Sequence, residues 1–381
     1  MNKIYLLTAA FAVMASLSGC SDTELASIDT AQEKTPIGFH TVGSQMGSRA
    51  TIIKPGDITS TDFKVYAFDD AGKAFMGKND TDDDVMAHNG VHIKHNNTTN
   101  AWTYANPLDL RYWPDSQLDF YAVSPATFSD QLYFDWKFDH ETRTITYTCS
   151  DEYNKDATTP PAANVDVMYA IATGQTKANG GMVNLTFKHI LSQVLFKAKT
   201  DDDKLEVEIN GIKIHNAQLG GIFTIPEGNP QIGNWTINGS AKTILTVGMD
   251  GPVKFKSAGT DVFTKPMLFV PQTLTAWAPT RETKTDADNA TPKHSYLEIS
   301  CRIKQNDTYL FGKNGFETLY VPFSATWEPG KRYVYTLIFG GGYDTDGKPI
   351  LTQINFTASA DNWNEDGGNS TNGNDKVTQQ P

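Results

Sequence analysis

Apolar side chains recur at every second position through almost the whole chain, and this period-two pattern most constrains what it can fold into. Phe63-Lys64-Val65-Tyr66-Ala67-Phe68, Leu118-Asp119-Phe120-Tyr121-Ala122-Val123, Thr142 to Thr148 and Val165 to Ala172 all read as strands. So do Val183 to Phe187, Val194 to Ala198, Leu205 to Ile209, Lys242 to Val247 and Met267 to Val270. Tyr296 to Ile303, Leu319 to Phe323, Tyr333 to Phe339 and Ile350 to Ala358 continue the series. These runs are rich in Val, Ile, Phe, Tyr and Thr, which suit a half-buried pleated surface. Turn clusters punctuate them, among them Asp69-Asp70-Ala71-Gly72, Asn89-Gly90, Asn179-Gly180-Gly181 and Asp346-Gly347. No helix-period stripe exceeds about two turns, which excludes a parallel α/β fold with its crossover helices. An all-β antiparallel sandwich is expected. At 381 residues the chain suits two domains better than one, and the boundary is placed near residue 190. The charged run Thr200-Asp201-Asp202-Asp203-Lys204 is the best internal break, or else one long hairpin. The segment after Trp363 is a polar tail with one apolar residue, Val377, and is expected to be disordered.

The N-terminus reads as an address. Lys3 is followed by an apolar run from Ile4 to Leu17, ending Leu17-Ser18-Gly19-Cys20. This is a secretory signal, residues 1–19, too short to span a bilayer. Its closing tetrad resembles the bacterial lipobox, in which the cysteine thiol is acylated and becomes residue one; the alternative is an ordinary signal that happens to contain cysteine. Several acyl chains on Cys20 would anchor the protein stably to the outer membrane. Ser21, Asp22 and Glu24 resemble the acidic surface-export signals of Bacteroidota lipoproteins, with Thr23 interrupting the run.

A search for chemistry returns little. His88, His92 and His95 would share a helix face, but Asn89-Gly90 marks a two-residue hairpin turn that removes the helix. It places His88 opposite Val91 and Ala87 opposite His92, and sends His92 and His95 to opposite faces of one strand. The acidic runs at 80–84, 201–203 and 344–347 suggest calcium. The last has its glycine at the fourth position instead of the sixth and lacks the closing glutamate, so solvated turns are expected. Asp135 and Asp139 could form a glycosidase pair, yet alternation with Phe134, Trp136 and Phe138 makes them the charged face of a strand. Cys149 and Cys301 carry no metal-ligand spacing; one disulfide and two buried thiols both remain open. The net charge of −12 argues against a nucleic-acid partner. No catalytic motif, metal site or cofactor is expected.

The order of local motifs is more telling than any one of them. Thr35-Pro36-Ile37-Gly38-Phe39-His40 precedes Gly47-Ser48-Arg49-Ala50-Thr51 and the strand at 63–68. Then come Tyr112-Trp113-Pro114, Leu118 to Ala122, Asp166-Val167-Met168-Tyr169-Ala170 and Leu185 to Ser192. Trp327-Glu328-Pro329-Gly330-Lys331-Arg332-Tyr333-Val334-Tyr335 and Asp361-Asn362-Trp363 close the series. From Cys20 to Trp363 this resembles the fimbrillin-like lipoproteins of Bacteroidales, the subunits of type V pili.

The resemblance implies two tandem transthyretin-like β-sandwich domains, 50–190 and 191–364, behind a lipidated and cleavable segment 20–49 and before a tail 365–381. It implies an outer-membrane lipoprotein displayed at the surface, cut by an Arg-specific protease at Arg49–Ala50 and carried into a fimbrium. It further implies that the strand of Ile37 and Phe39 is displaced and its groove filled by a neighbouring subunit. The candidate donor is 352–358, with Ile354, Phe356 and Ala358 on one face. Burying Ile37 and Phe39 stabilises the strand by about 3–5 kcal/mol, small enough to release after cleavage. Partners would be other fimbrial subunits, the lipid anchor, and a host or bacterial surface ligand. Asp29-Thr30-Ala31 resembles a short O-glycosylation motif. The competing reading is a surface glycan-binding lipoprotein using Trp102, Trp113, Trp235 or Trp277 as platforms; an enzyme ranks third.

Overall fold

A computed structural model describes residues 34–41, 61–77, 90–126, 134–135, 143–149, 165–228, 231–238, 243–263, 267–340, 342–343, 349–350, 355–362 and 376–377. The chain divides into two units, Met1–Lys34 and Thr35–Pro381, and all that follows concerns the second. Its described residues are overwhelmingly strand. The one α-helix among them is the single capped turn Lys284–Asn289, where Thr283 and Asp286 form a capping box.

The first sheet runs Lys188–His189, Met168–Gln175, Leu118–Ser124, Phe63–Asp69, Val91–Asn96, Ala101–Tyr104, all antiparallel, with Ala74–Met76 beside Phe63–Asp69. It is buried on both faces. Phe63, Val65, Ala67, Phe120, Ala122, Met168 and Ala170 enter one core with Ile37, Phe39, Val183 and Leu185. Tyr66, Phe68, Tyr121, Val123, Tyr169 and Ile171 point the other way into a second, larger core. That second face is covered by a sheet ordered Asn234–Asn238, Gly220–Thr224, Thr144–Thr148, Phe134–Asp135. Its hairpin 220–238 lies beyond the boundary expected near residue 190, yet pairs over five register positions with Thr144–Thr148.

The later strands form two facing sheets. Ser192–Thr200 pairs with Lys331–Phe339, which pairs with Asn355–Asn362. Opposite them, Leu205–His215 pairs with His294–Gln305, with a register shift between Ile209 and Gly211. Phe196, Val207, Ile299, Cys301, Phe323, Tyr335 and Leu337 fill the space between. The 201–204 run is not the turn of a hairpin ladder: it carries the chain from one sheet to the other. Asp202 turns it, accepting from Lys204 N–H through its side chain and from Leu205 N–H through its carbonyl.

Most ladders are antiparallel as expected, but three among the described residues are parallel: Gly38–Thr41 on Met182–Leu185, Ser192–Thr200 on Lys331–Phe339, and Thr273–Ala276 on His294–Gln305. Between the two strands of the second pair the chain passes through Leu205–His215, His294–Gln305 and the strands around them, a connection long enough to bring it back in the same direction.

One polar cross-strand group has a measurable signature. Lys213 and Glu298 are register partners, and Glu298 accepts from Lys213 Nζ at 2.9 Å and pairs with His215 Nε2 at 2.8 Å. Burial works to raise the Glu298 carboxyl, but these two hydrogen bonds hold it below its ordinary 4.5. A lowered carboxyl stabilises the fold fully above its unfolded pKa, and this contribution is lost as pH falls through the folded value. Glu298→Gln should therefore cost about 1–2 kcal/mol near neutral pH. The difference from the parent should shrink between about pH 5 and pH 3 in thermal melts. A difference independent of pH would show that the carboxylate charge is not what matters.

Candidate functional site

The N-terminal strand Gly38–Thr41 sits apart from the large sheets, wedged between two segments. On one side it runs parallel to Met182–Leu185 in the register Gly38 with Met182, Phe39 with Val183, His40 with Asn184 and Thr41 with Leu185. On the other side Ile37 N–H donates to Arg111 O and Trp113 N–H donates to Thr35 O, both at 2.9 Å, around an antiparallel bridge of Pro36 with Tyr112. The segment 35–41 is thus hydrogen-bonded on both sides, through Thr35 and Ile37 on one and through Gly38–Thr41 on the other.

Its side chains alternate. Ile37 and Phe39 point inward and are 1% and 2% exposed. Phe39 meets three rings, Phe63 at 6.0 Å, Tyr104 at 6.1 Å and Phe120 at 6.1 Å, the first and last edge-on. His40 points out to solvent.

Three aromatic side chains add polar anchors. Tyr104 OH donates to Ile37 O at 2.9 Å; burial pushes its phenol up to about 12, so the hydroxyl keeps its proton and remains a donor. Trp102 Nε1 donates to Thr41 Oγ1 at 3.1 Å. Trp113 Nε1 donates to Gly181 O at 2.9 Å, and the same carbonyl accepts from Gly38 N–H. Gly181 is required twice over: its φ is +81°, and a Cβ there would lie 2.4 Å from Pro36 O. The turn Asn179-Gly180-Gly181 thereby brings backbone against backbone beneath the strand.

The other expected site residues are dispersed. Cys20, Arg49, Ala50 and Ile354 lie outside the described residues. Phe356 and Ala358 lie in Asn355–Asn362, opposite Leu337 and Tyr335 on Lys331–Phe339, and not at the groove. Cys149 and Cys301 are free and buried, and burial pushes both thiols up to about 12, which makes them inert core residues. His92 pairs with Asp62 at 2.8 Å, while His95 bonds Asn97 and packs against Trp102. His88, the acidic runs 80–84 and 344–347, the Asn89 position of the expected hairpin turn, and Asp139 fall outside the described residues; Asp135 is described only as backbone in Phe134–Asp135. Among the described residues no cluster of three or more His, Cys, Asp or Glu side chains could hold a metal ion. The four candidate tryptophan platforms have their indole N–H groups bonded within the protein: Trp102 and Trp113 as above, Trp235 to Ile190 O and Trp277 to Glu282 O. Trp113 is buried and the other three are half-buried.

Residues 48–363 match the model of the fimbrillin-like family. The chain belongs to that family. Among solved structures, this fimbrillin-like chain is similar to a fimbrial protein from Bacteroides vulgatus, at 17% identity and a TM-score of 0.54 over 86% of this chain and 99% of that one. A candidate cell adhesion protein from Bacteroides uniformis aligns at 14% identity and a TM-score of 0.48 over 86% and 99% of the two chains. The first of these likenesses supports the all-β fold. No curated protein matches the sequence. No helix among the described residues is long and apolar enough to cross a membrane.

Sequence reading had found the strand and its two buried side chains, and had singled out Tyr112-Trp113-Pro114 and the 179–181 turn separately. It missed that both segments, with Trp102, Tyr104 and Met182, close around the strand. The signal was present in two aromatic-rich stretches too polar to be plain core strands, but their partner is 60 or more residues away in the chain.

Proposed function

We propose that this fimbrillin-like chain is a non-enzymatic cell-surface pilus subunit or accessory adhesin, joined to its neighbours by strand exchange at the groove now filled by residues 35–41. In this reading it is exported as a lipoprotein on Cys20, reaches the outer surface, and is cut at Arg49–Ala50. The N-terminal strand then leaves, and an extended segment of the next subunit takes its place; the candidate donor offered by the sequence is 352–358, whose fit to this groove is decided by peptide binding. The observation that carries the reading is the hold on Gly38–Thr41. A strand so deeply inserted, yet belonging to none of the large sheets, is an element whose removal leaves a shaped, apolar, hydrogen-bonding slot.

The hold also refines the energetics. To the side-chain burial are added backbone bonds on both edges and two side-chain anchors, at about 0.5–1.5 kcal/mol net each. Spontaneous escape into water is then costly, and a replacing strand that re-forms the same bonds as it enters is the favourable route. N-terminal sequencing of the cell-surface polymer tests the reading. A mature start at Ala50 is expected; polymerised subunits that still begin at Cys20 would end it.

A further inference from the structure

Gly38 presents a problem that backbone geometry does not solve. It is absent from the residues of positive φ, so its extended conformation is open to any residue. What stands in the way of a side chain is Met182. A Cβ on Gly38 would stand 2.4 Å from Met182 Sδ and 3.0 Å from its Cε. Gly38 and Met182 are register partners of a parallel ladder, so their side chains leave the strands on the same side. Met182 therefore lies over the glycine as a lid on the outer side, while Ile37 and Phe39 fill the pockets on the inner side.

Resting on the strand-exchange reading, we propose that Met182 makes the groove selective, so that the segment it accepts carries glycine between an aliphatic and an aromatic residue. The remaining rules follow from the same contacts. The segment runs parallel to Met182–Leu185 as the resident strand does, so that a peptide N–H meets Gly181 O at the glycine and a carbonyl meets Tyr104 OH one residue earlier. Its aromatic residue enters the pocket walled by Phe63, Tyr104 and Phe120. The partner is thus an extended peptide segment of pattern aliphatic–glycine–aromatic. Within this chain 37–39 satisfies it, and 354–356 does not, because Asn355 brings a Cβ that Met182 must move aside to admit.

The lid is a flexible side chain, so it discriminates by a moderate factor and not absolutely. Forcing a branched side chain beneath it should weaken binding by about tenfold or more. The test uses the full chain cut with an Arg-specific protease, and synthetic peptides of residues 35–41 in native form, in a Gly38→Val form, and of residues 352–358. Native peptide should bind, and the other two about tenfold weaker or less well; in a Met182→Ala chain the native and Val forms should bind within about threefold of each other. Equal binding of all three peptides to the parent chain overturns the selectivity and leaves strand exchange standing. Failure of the cut chain to bind even the native peptide overturns both. A parallel measurement needs no cleavage: Gly38→Val should lower the melting temperature of the intact chain, and Met182→Ala added to it should restore most of that loss. A Gly38→Val defect that Met182→Ala leaves unchanged would show that the lid is not the cause.

Discussion

Replacing Phe39 with alanine should strip about 3–5 kcal/mol from the hold on the N-terminal strand, the largest effect expected of any single change in the groove. The ring is fully enclosed and touches Phe63, Tyr104 and Phe120 at centroid distances near 6 Å. Its loss removes the transfer free energy of an aromatic side chain and leaves a cavity that three rigid rings cannot collapse to fill. Ile37→Val, which removes one methylene from the neighbouring pocket, should cost only about 0.5–1.5 kcal/mol. The consequence should be local, because Gly38–Thr41 is paired with the short strand Met182–Leu185 and not with the long ladders. Hydrogen exchange is the appropriate readout. The amides of Ile37 and Gly38, bonded to Arg111 O and Gly181 O, should exchange about a hundredfold or more faster in Phe39→Ala, while those of Ser192–Thr200 should be unchanged. Unaltered protection at Ile37 and Gly38 would mean that the backbone bonds alone hold the strand. In the strand-exchange reading, the same variant should also take up a replacing strand faster after cleavage.

How far such a site is legible in sequence can be judged residue by residue. Ile37 and Phe39 were legible because two large apolar residues at i and i+2, with glycine between and polar neighbours outside, have few uses other than a short inserted strand. The sandwich character of the fold was legible from the same period. Both-face burial of the first sheet was half legible: Tyr66 and Phe68 alternate with Val65 and Ala67, so apolar side chains lie on both sides, but nothing local says what covers the second face. The cover is the hairpin 220–238, some seventy residues beyond Thr144–Thr148 and past the expected boundary. Register and partner choice across such distances depend on the assembled core, not on propensity. The tryptophans illustrate the same limit. Trp102, Trp113, Trp235 and Trp277 read equally well as exposed platforms or structural anchors. Only the positions of Thr41, Gly181, Ile190 and Glu282 reveal the acceptors that fix each indole N–H. The motif Trp327 to Tyr335 had a recognisable order but no visible purpose. In the fold its Pro329-Gly330 turn docks on the Leu191-Ser192 pair, with Gly330 N–H donating to Leu191 O and Ser192 Oγ donating to Glu328 O.

The second large effect is expected at Asp166, where two further motifs meet. Asp166 opens Asp166-Val167-Met168-Tyr169-Ala170, and His189 closes Phe187-Lys188-His189. Their side chains join at 2.9 Å through Asp166 Oδ1 and His189 Nδ1, both wholly removed from solvent. Each looks in sequence like a polar residue ending a strand, and 23 residues of chain conceal that they are one pair. The pair sits at a joint. Ile190 N–H donates to Val167 O, Ile190 O accepts from Trp235 Nε1, and Leu191 O accepts from Gly330 N–H, so three separate parts of the chain are fastened within two residues of His189. Truncating one partner of a buried polar pair leaves the other desolvated with that bond unmade, which costs about 3–5 kcal/mol. Asp166→Ala should lower stability by that amount in calorimetry or denaturant melts. Replacing both members with leucine should cost less than the sum of the single changes, since each single change already breaks the one bond that the two side chains share. Because the joint serves both the first sheet and the later sandwich, tryptophan fluorescence and far-ultraviolet circular dichroism should shift together in Asp166→Ala, as expected if Thr35–Pro381 melts as one unit. A loss below about 1 kcal/mol would show that the buried pair contributes no more than an exposed one. Separate transitions for the two probes would show instead that the joint positions the halves without coupling their unfolding.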